Sequence, residues 1–275
     1  MSTNNSELNA HYAPAHSEAA IHLALATMSP DKNPMGNDDL AGLDQLHTGG
    51  IAVTRELAQH AAITAADRVL DVGGGIGGPA RVLAKEFGCQ VTVLDLTEAY
   101  CRIGEQLTAQ ANLTEYVHFQ QGDALAIPFT DGSFDVVWTQ HSSMNIADKV
   151  SLYQQIHRVL RLGGRLAFQE VVSGTGEPIH LPTMWTHTES MNFLMSPEAL
   201  HTTLISLGFR ELAWNDITQS AMSFFQNNQQ PTTTASNPLG LQLLLGNDMR
   251  TMLRNHILNL QEGRIRIIEG ILERM

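Results

Sequence analysis

The stretch VLDVGGGIGGPA, residues Val69–Ala80, decides the fold. It opens as a short apolar run, reads as a buried strand over Arg68–Asp71, and then runs into glycines. Gly73, Gly75 and Gly78 fit the spacing G-x-G-x-x-G, ahead of a helix expected over Pro79–Phe87. Glycine turns the chain sharply and lets a ligand approach the backbone. Asp95 closes the next expected strand, Gln90–Asp95, 22 residues beyond Gly73. A carboxylate there can accept two ribose hydroxyls. Strand, glycine turn and acid together point to a bound nucleoside.

The same rhythm repeats downstream. Tyr116–Gln121, Phe134–Thr139 and Arg165–Val171 read as strands, and Asp148–Leu160 reads as a helix with Ile156, Val159 and Leu160 on one face. Upstream, Ile51–Ala62 reads as a helix. Strands alternating with helices imply an α/β fold, a parallel sheet with helices on both faces. Ligands of such sheets lie beyond the carboxyl ends of the strands. That places the site at 71–78, 95–96, 122–124 and 140–145.

After Val172 the rhythm changes. Ser173–Met195 has no clear period and reads as a lid inserted after the fifth strand. Ser196-Pro197-Glu198 starts a helix that ends near Gly208, with a strand expected over Phe209–Asn215. Asn227–Pro238 is a polar low-complexity loop, and Leu239–Met275 is expected as one or two amphipathic helices broken near Glu262-Gly263. Three divisions follow: a cap over 1–50, a nucleoside-binding core over 51–172, and lid, terminal strands and helices over 173–275.

The chain has 275 residues, 43% apolar, and a net charge of −12. That is ample for a core. So acidic a chain argues against general nucleic-acid binding. No apolar run reaches the ~20 residues of a membrane helix, and the polar start MSTNNSELNA lacks the regions of a secretory signal. Two cysteines, Cys89 and Cys101, argue against a disulfide scaffold or structural zinc, so a cytoplasmic protein is expected. His180, His187 and Glu177 lack a compact ligand motif, and no metal is expected.

Two nucleosides compete. A dinucleotide pyrophosphate needs helix N-terminal amides, and an acid just before the glycines is unwelcome there. S-adenosylmethionine (SAM) has no phosphate but carries an ammonium, which Asp71 can help hold. Asp123, in Gly122-Asp123-Ala124 after the third strand, can accept from an adenine amino group.

DVGGGIGG, VTVLDLT, GDALAIPFTDGSFDVVW and RVLRLGGRLAF, in this order between Ala65 and Val172, resemble a class I SAM-dependent methyltransferase. LDQLHTGG, WTQHSSMNIADK and the segment after Val172 are similar to the small-molecule branch that holds sarcosine/dimethylglycine and phosphoethanolamine methyltransferase-like proteins. The resemblance implies a Rossmann-like sheet and SAM as cofactor, with S-adenosylhomocysteine as product. It implies Asp71, Gly73 and Gly75 along the methionine part and Asp95 and Leu96 at the ribose. Asp123 and Ala124 would meet the adenine. Gln140 would sit near the carboxylate or sulfonium, with Gln45 and His47 closing over the cofactor.

The reacting end is expected at Gln140, His141 and Asn145. His141 is the candidate general base, the alternative being a substrate-shaping or structural histidine. His47 is either a loop histidine packed over the cofactor or catalytic. Between Glu170 and Gln230 the only basic residue is Arg210, while Met184, Trp185, Met191, Phe193, Met195, Met222 and Phe225 suit an adaptable apolar cavity or ordinary packing. With few cations for a phosphate or carboxylate, the expected acceptor is a neutral, mostly apolar metabolite methylated on O or C rather than N. The C-terminal arginines alternate with acids and are expected on a helix packed on the domain or a partner subunit, which leaves a homodimer open. Rival readings are a SAM-fold enzyme without methyl transfer, such as a cyclase, a NAD-dependent oxidoreductase, or a non-enzymatic SAM-binding protein.

Overall fold

The computed structural model describes residues 19–21, 23–24, 35–227 and 239–275. Most of the proline-bearing start and the polar loop beyond residue 227 lie outside the described residues. Seven strands form one mixed sheet in the order β3-β2-β1-β4-β5-β7-β6. They are β1 (Arg68–Val72), β2 (Gln90–Asp95), β3 (Val117–Gln121), β4 (Phe134–Gln140), β5 (Leu160–Ser173), β6 (Phe209–Asp216) and β7 (Ile265–Arg274). The first five run parallel, and β7 runs antiparallel between β5 and β6.

The inner parallel strands β1, β2, β4 and β5 are largely apolar on both sides because both faces are covered, whereas the edge strand β3, VHFQQ, is mostly exposed. Along β1, Val69 packs with β2 and β4 residues on one face under α2 (Gly50–His60) and α3 (Gly78–Val82). Leu70 and Val72 face the other way, toward α5 (Lys149–Val159) and α6 (Pro197–Ser206). Two further helices flank the glycine end of the sheet, α1 (Asn37–Asp44) and α4 (Glu98–Gln110). The helix expected over Pro79–Phe87 is regular only to Val82. Its last turn, Leu83–Phe87, widens to a π turn and stops at Gly88 in the left-handed region.

The C-terminal expectation is half right. α7 (Thr218–Asn227), the single turn α8 (Gln242–Leu245) and α9 (Met249–Gln261) are helical, but IRIIEGILER is strand β7, not helix. Its neighbours bury it on both faces, so apolar residues run almost without a break and the period of 2 disappears. Gly270 belongs there because a Cβ would stand 2.4 Å from the Phe168 ring. Arg264 thus falls in the turn before β7, and Arg266 and Arg274 lie on the strand itself. The segment after β5 is irregular, with one short 3-10 turn at Glu189–Met191. Among the described residues, no helix is long and apolar enough to cross a membrane.

Candidate cofactor and acceptor site

One cavity opens at the carboxyl ends of β1, β2 and β4, where the sheet rule places it. Its wall holds most of the expected cofactor residues: His47, Asp71, Gly73, Gly75, Asp95, Leu96, Asp123, Ala124 and Gln140. Gly73 and Gly75 turn the loop with φ of 71° and 57°. Asp95 fixes that turn from β2. Its Oδ2 accepts the Gly75 N–H at 2.8 Å and its Oδ1 accepts the Thr97 N–H at 2.8 Å, leaving lone pairs on both oxygens for hydroxyl donors. Asp123 Oδ1 accepts from the Leu125 N–H at 2.8 Å.

Gly78 marks a close backbone approach. The Asp44 carbonyl lies against it so closely that a Cβ would come within 2.0 Å of that oxygen. The end of α1 therefore packs directly on the start of α3, where only glycine fits. Behind it Asp44 Oδ2 pairs with Arg81 Nη2 at 3.0 Å, and both side chains are buried. Arg81 Nη1 also donates to Thr108 Oγ1 at 3.1 Å.

Asp71 is 1% exposed, and its Oδ2 has no hydrogen-bond partner. Burial, reinforced by the neighbouring Asp95 charge, pushes its carboxyl up to about 8. A buried acid facing a cavity without a partner is what an ammonium would complete. Together with the hydroxyl-accepting Asp95, the donor set fits SAM.

A buried polar network shapes the reacting end. Gln140 Oε1 accepts from Trp138 Nε1 at 3.0 Å and Thr54 Oγ1 at 3.2 Å, and its Nε2 donates to Gln169 Oε1 at 3.0 Å. Gln169 Nε2 donates to the Thr48 carbonyl at 2.8 Å, and Thr48 Oγ1 meets His256 Nε2 at 3.0 Å. His47 Nε2 lies 2.9 Å from Thr54 Oγ1. Burial holds His47 and His256 down to about 4, so both rings are neutral. Gln45 belongs to this network, bonded to Asp44 and Thr54, and stands behind the wall instead of in it.

His141 is on the wall, held at a left-handed φ of 51° by its N–H to the Gln169 carbonyl at 2.9 Å. Its Nε2 is shielded from solvent and unpartnered. Burial, then the neighbouring His47 and His256, hold it well below its ordinary value, so the ring carries no charge at neutral pH.

Of the expected acceptor residues, Asn145, Met184 and Trp185 line the cavity. Asn145 Nδ2 is engaged, donating to the Trp185 carbonyl at 2.8 Å and the Met191 carbonyl at 3.2 Å. Met191, Phe193, Met195, Met222 and Phe225 do not appear on the wall. Met195 packs into the core between β5 and helices α5 and α6, while Met222 and Phe225 back Trp185 from behind. Apolar composition alone could not separate a lining layer from the layer that supports it. The acidic residues on the wall are Asp44, Asp71, Asp95, Asp123 and Asp148, with no lysine or arginine among the described wall residues. His180 is spent on Glu262 at 2.8 Å, and no cluster of three or more His, Cys, Asp or Glu suited to a metal occurs among the described residues.

Sequence reasoning missed Asp44, Thr54, Arg81, Gln169, Glu170 and His256. Gln169-Glu170 carried a signal, two polar residues inside the apolar strand AFQEVV.

A methyltransferase domain family model matches residues 70–168. The chain is 30% identical over 190 residues to a glycine/sarcosine/dimethylglycine N-methyltransferase of Actinopolyspora halophila, covering 67% of this chain and 34% of that protein. It is 38% identical over 99 residues to the chloroplastic tocopherol O-methyltransferase of Arabidopsis thaliana, covering 36% of this chain and 28% of that protein. The fold is similar to that of geranyl diphosphate C-methyltransferase from Streptomyces coelicolor A3(2), solved with Mg2+, geranyl-S-thiolodiphosphate and S-adenosylhomocysteine. That match has a TM-score of 0.68 at 17% identity and covers 96% of this chain and 99% of that one. The match spans between 27% and 54% of the length of the curated relatives, and the two named above are an N- and an O-methyltransferase. Seven-stranded sheet, glycine turn, Asp95 and family match converge: residues 70–168 are a methyltransferase domain, set in a Rossmann-like fold similar to that of SAM-dependent methyltransferases.

Proposed function

We propose that this chain transfers a methyl group from SAM to a neutral, mostly apolar small molecule, at O or C in preference to N. The observation that carries this reading is the cavity wall, with five aspartates, no lysine or arginine among the described residues and the uncharged, unpartnered imidazole of His141. A phosphate or carboxylate acceptor would face repulsion there without a clamp. SAM, when bound, supplies an electrophilic methyl on its sulfonium. Asp71 would hold its amino end, Gly73 and Gly75 its methionine backbone, Asp95 and Leu96 its ribose, and Asp123 and Ala124 its adenine. Met184 and Trp185 would cover the acceptor and exclude water, and proximity would supply much of the rate. His141 would take the proton from a hydroxyl or an acidic carbon.

The test is S-adenosylhomocysteine release from SAM with phenolic, enolic and hydroxylated polycyclic acceptors against sarcosine and dimethylglycine. Release with the first group is expected, and release with the amino acids alone would overturn the acceptor class. Turnover of an acceptor without S-adenosylhomocysteine would instead favour the cyclase-like alternative. His141→Ala is expected to lower turnover on a hydroxyl acceptor about a hundredfold and to leave S-adenosylhomocysteine affinity within about threefold. Full activity in that variant would reject the base role.

The Asp71 carboxyl gives a second prediction. The native chain holds this proton up to about 8, whereas the unfolded chain releases it near 3.8. The native state therefore binds more protons between those values, and this group's contribution to stability falls as pH rises through that window. An ammonium beside Oδ2 reverses the effect and expels the proton. At pH 7, calorimetric titration with S-adenosylhomocysteine in buffers of different ionisation enthalpy should register release of about 0.9 proton. Asp71→Asn should register none. The same release in that variant would assign the proton elsewhere.

A further inference from the structure

His141 presents a puzzle of orientation. Its backbone sits in a region that costs a side-chain-bearing residue energy, and among the described residues no hydrogen bond to its ring fixes where the imidazole points. The His47 ring meets it edge-on, with centroids 6.3 Å apart, and the His141 backbone is continuous with the turn that follows, Ser142–Ile146. That turn is gripped from two sides by buried charges.

Glu170, on β5, has no solvent exposure. Its carboxylate faces only donors. Oε1 accepts from Thr139 Oγ1 at 2.9 Å and, at 3.4 Å, from the Ser142 N–H and Oγ. Oε2 accepts from the Ser143 N–H at 3.2 Å and Ser143 Oγ at 2.8 Å. Lys149, at the start of α5 and 7% exposed, takes the opposite face of the turn. Its Nζ donates to the Ser143 carbonyl and, at 2.7 Å, to the Ile146 carbonyl. The acid thus holds the turn's N–H and hydroxyl groups and the base holds its carbonyls. The far end of the turn carries Asn145, which ties down the Trp185 and Met191 carbonyls. Met144, Asn145 and Ile146 are themselves cavity wall.

We propose that Glu170 and Lys149 are positioning residues that clamp the Ser142–Ile146 turn from opposite faces and so set the orientation of His141 and the acceptor-side wall. Neither touches the cavity. The functional weight of this clamp rests on the reading of His141 as base, but its test does not.

The experiment is backbone hydrogen exchange on the full chain over residues 140–146, with side-chain nitrogen NMR of the His141 ring assigned through His141→Asn. Glu170→Gln keeps the volume but turns one acceptor into a donor facing other donors. Exchange over 140–146 should accelerate at least about tenfold, since charge-assisted bonds are lost, while β1 and β2 amides stay within about twofold. The His141 ring signals should move. Lys149→Met should act in the same direction. Thr139→Val, which frees Glu170 from β4 but not from the turn, should leave both readouts unchanged. Should Glu170→Gln fail to fold, Ser143→Ala removes one 2.8 Å bond and carries the same expectation. Uniform acceleration across the sheet, or static His141 signals, would reduce the pair to general stabilisers and overturn the proposal. Failure of S-adenosylhomocysteine to bind would sink the functional reading and leave this result standing.

Discussion

Asp95→Ala is expected to weaken S-adenosylhomocysteine binding about 10³-fold. Two hydroxyl bonds to a buried carboxylate are worth about 1.5–3 kcal/mol each, and about 4 kcal/mol of lost binding corresponds to that factor. The residue also organises the apo site. It holds the Gly75 and Thr97 N–H groups, so its removal frees the glycine turn as well as the ribose contact. Asp95→Asn separates the two roles. An asparagine still accepts at one oxygen but presents a donor to one of the two N–H groups, and affinity should fall between wild type and alanine. Isothermal calorimetry measures both. Unchanged affinity in the alanine variant would place the cofactor elsewhere.

Asp44→Ala is expected to lower folding stability by about 3–5 kcal/mol, because it strands the guanidinium of Arg81 in the interior. Arg81 has no solvent exposure, and its Nε already lacks a partner. A domain of this size has about 5–15 kcal/mol in all, so the loss is a large share. The double variant Asp44→Leu/Arg81→Met removes both charges and should recover most of the stability, since a buried pair contributes little net over apolar packing. Urea unfolding of the three chains completes the cycle. A loss below about 1 kcal/mol in the single variant would mean that water reaches the guanidinium and that the α1–α3 contact is looser than drawn.

The parallel half of the fold was legible because β1, β2, β4 and β5 are built on apolar runs, two of which, β1 and β2, meet an aspartate at their carboxyl ends. The positions of Asp71, Asp95, Asp123 and His141 followed from the rule that sites gather at strand ends. β7 was illegible because a strand covered on both faces loses its alternation, and its charges at Arg266, Glu269 and Glu273 then imitate the polar face of a helix. The network around Gln140 was illegible for a different reason. Its members are single polar residues in separate segments, and each alone is unremarkable. Arg81 and Asp44 stand 37 positions apart, and nothing local in either segment announces a buried ion pair. The apolar acceptor candidates divided between lining and support for a related reason: one methionine reads like another until a wall exists.

Thr48 and His256 meet across 208 positions of chain, with Gln140 and Gln169 between them in the same bonded set. Contacts so distant in sequence form late, after the entropy of closing the long loops has been met. A ligand that binds only the finished cavity draws the population toward that state by mass action. Distant segments of one chain are thus held together by the same free energy that holds the ligand.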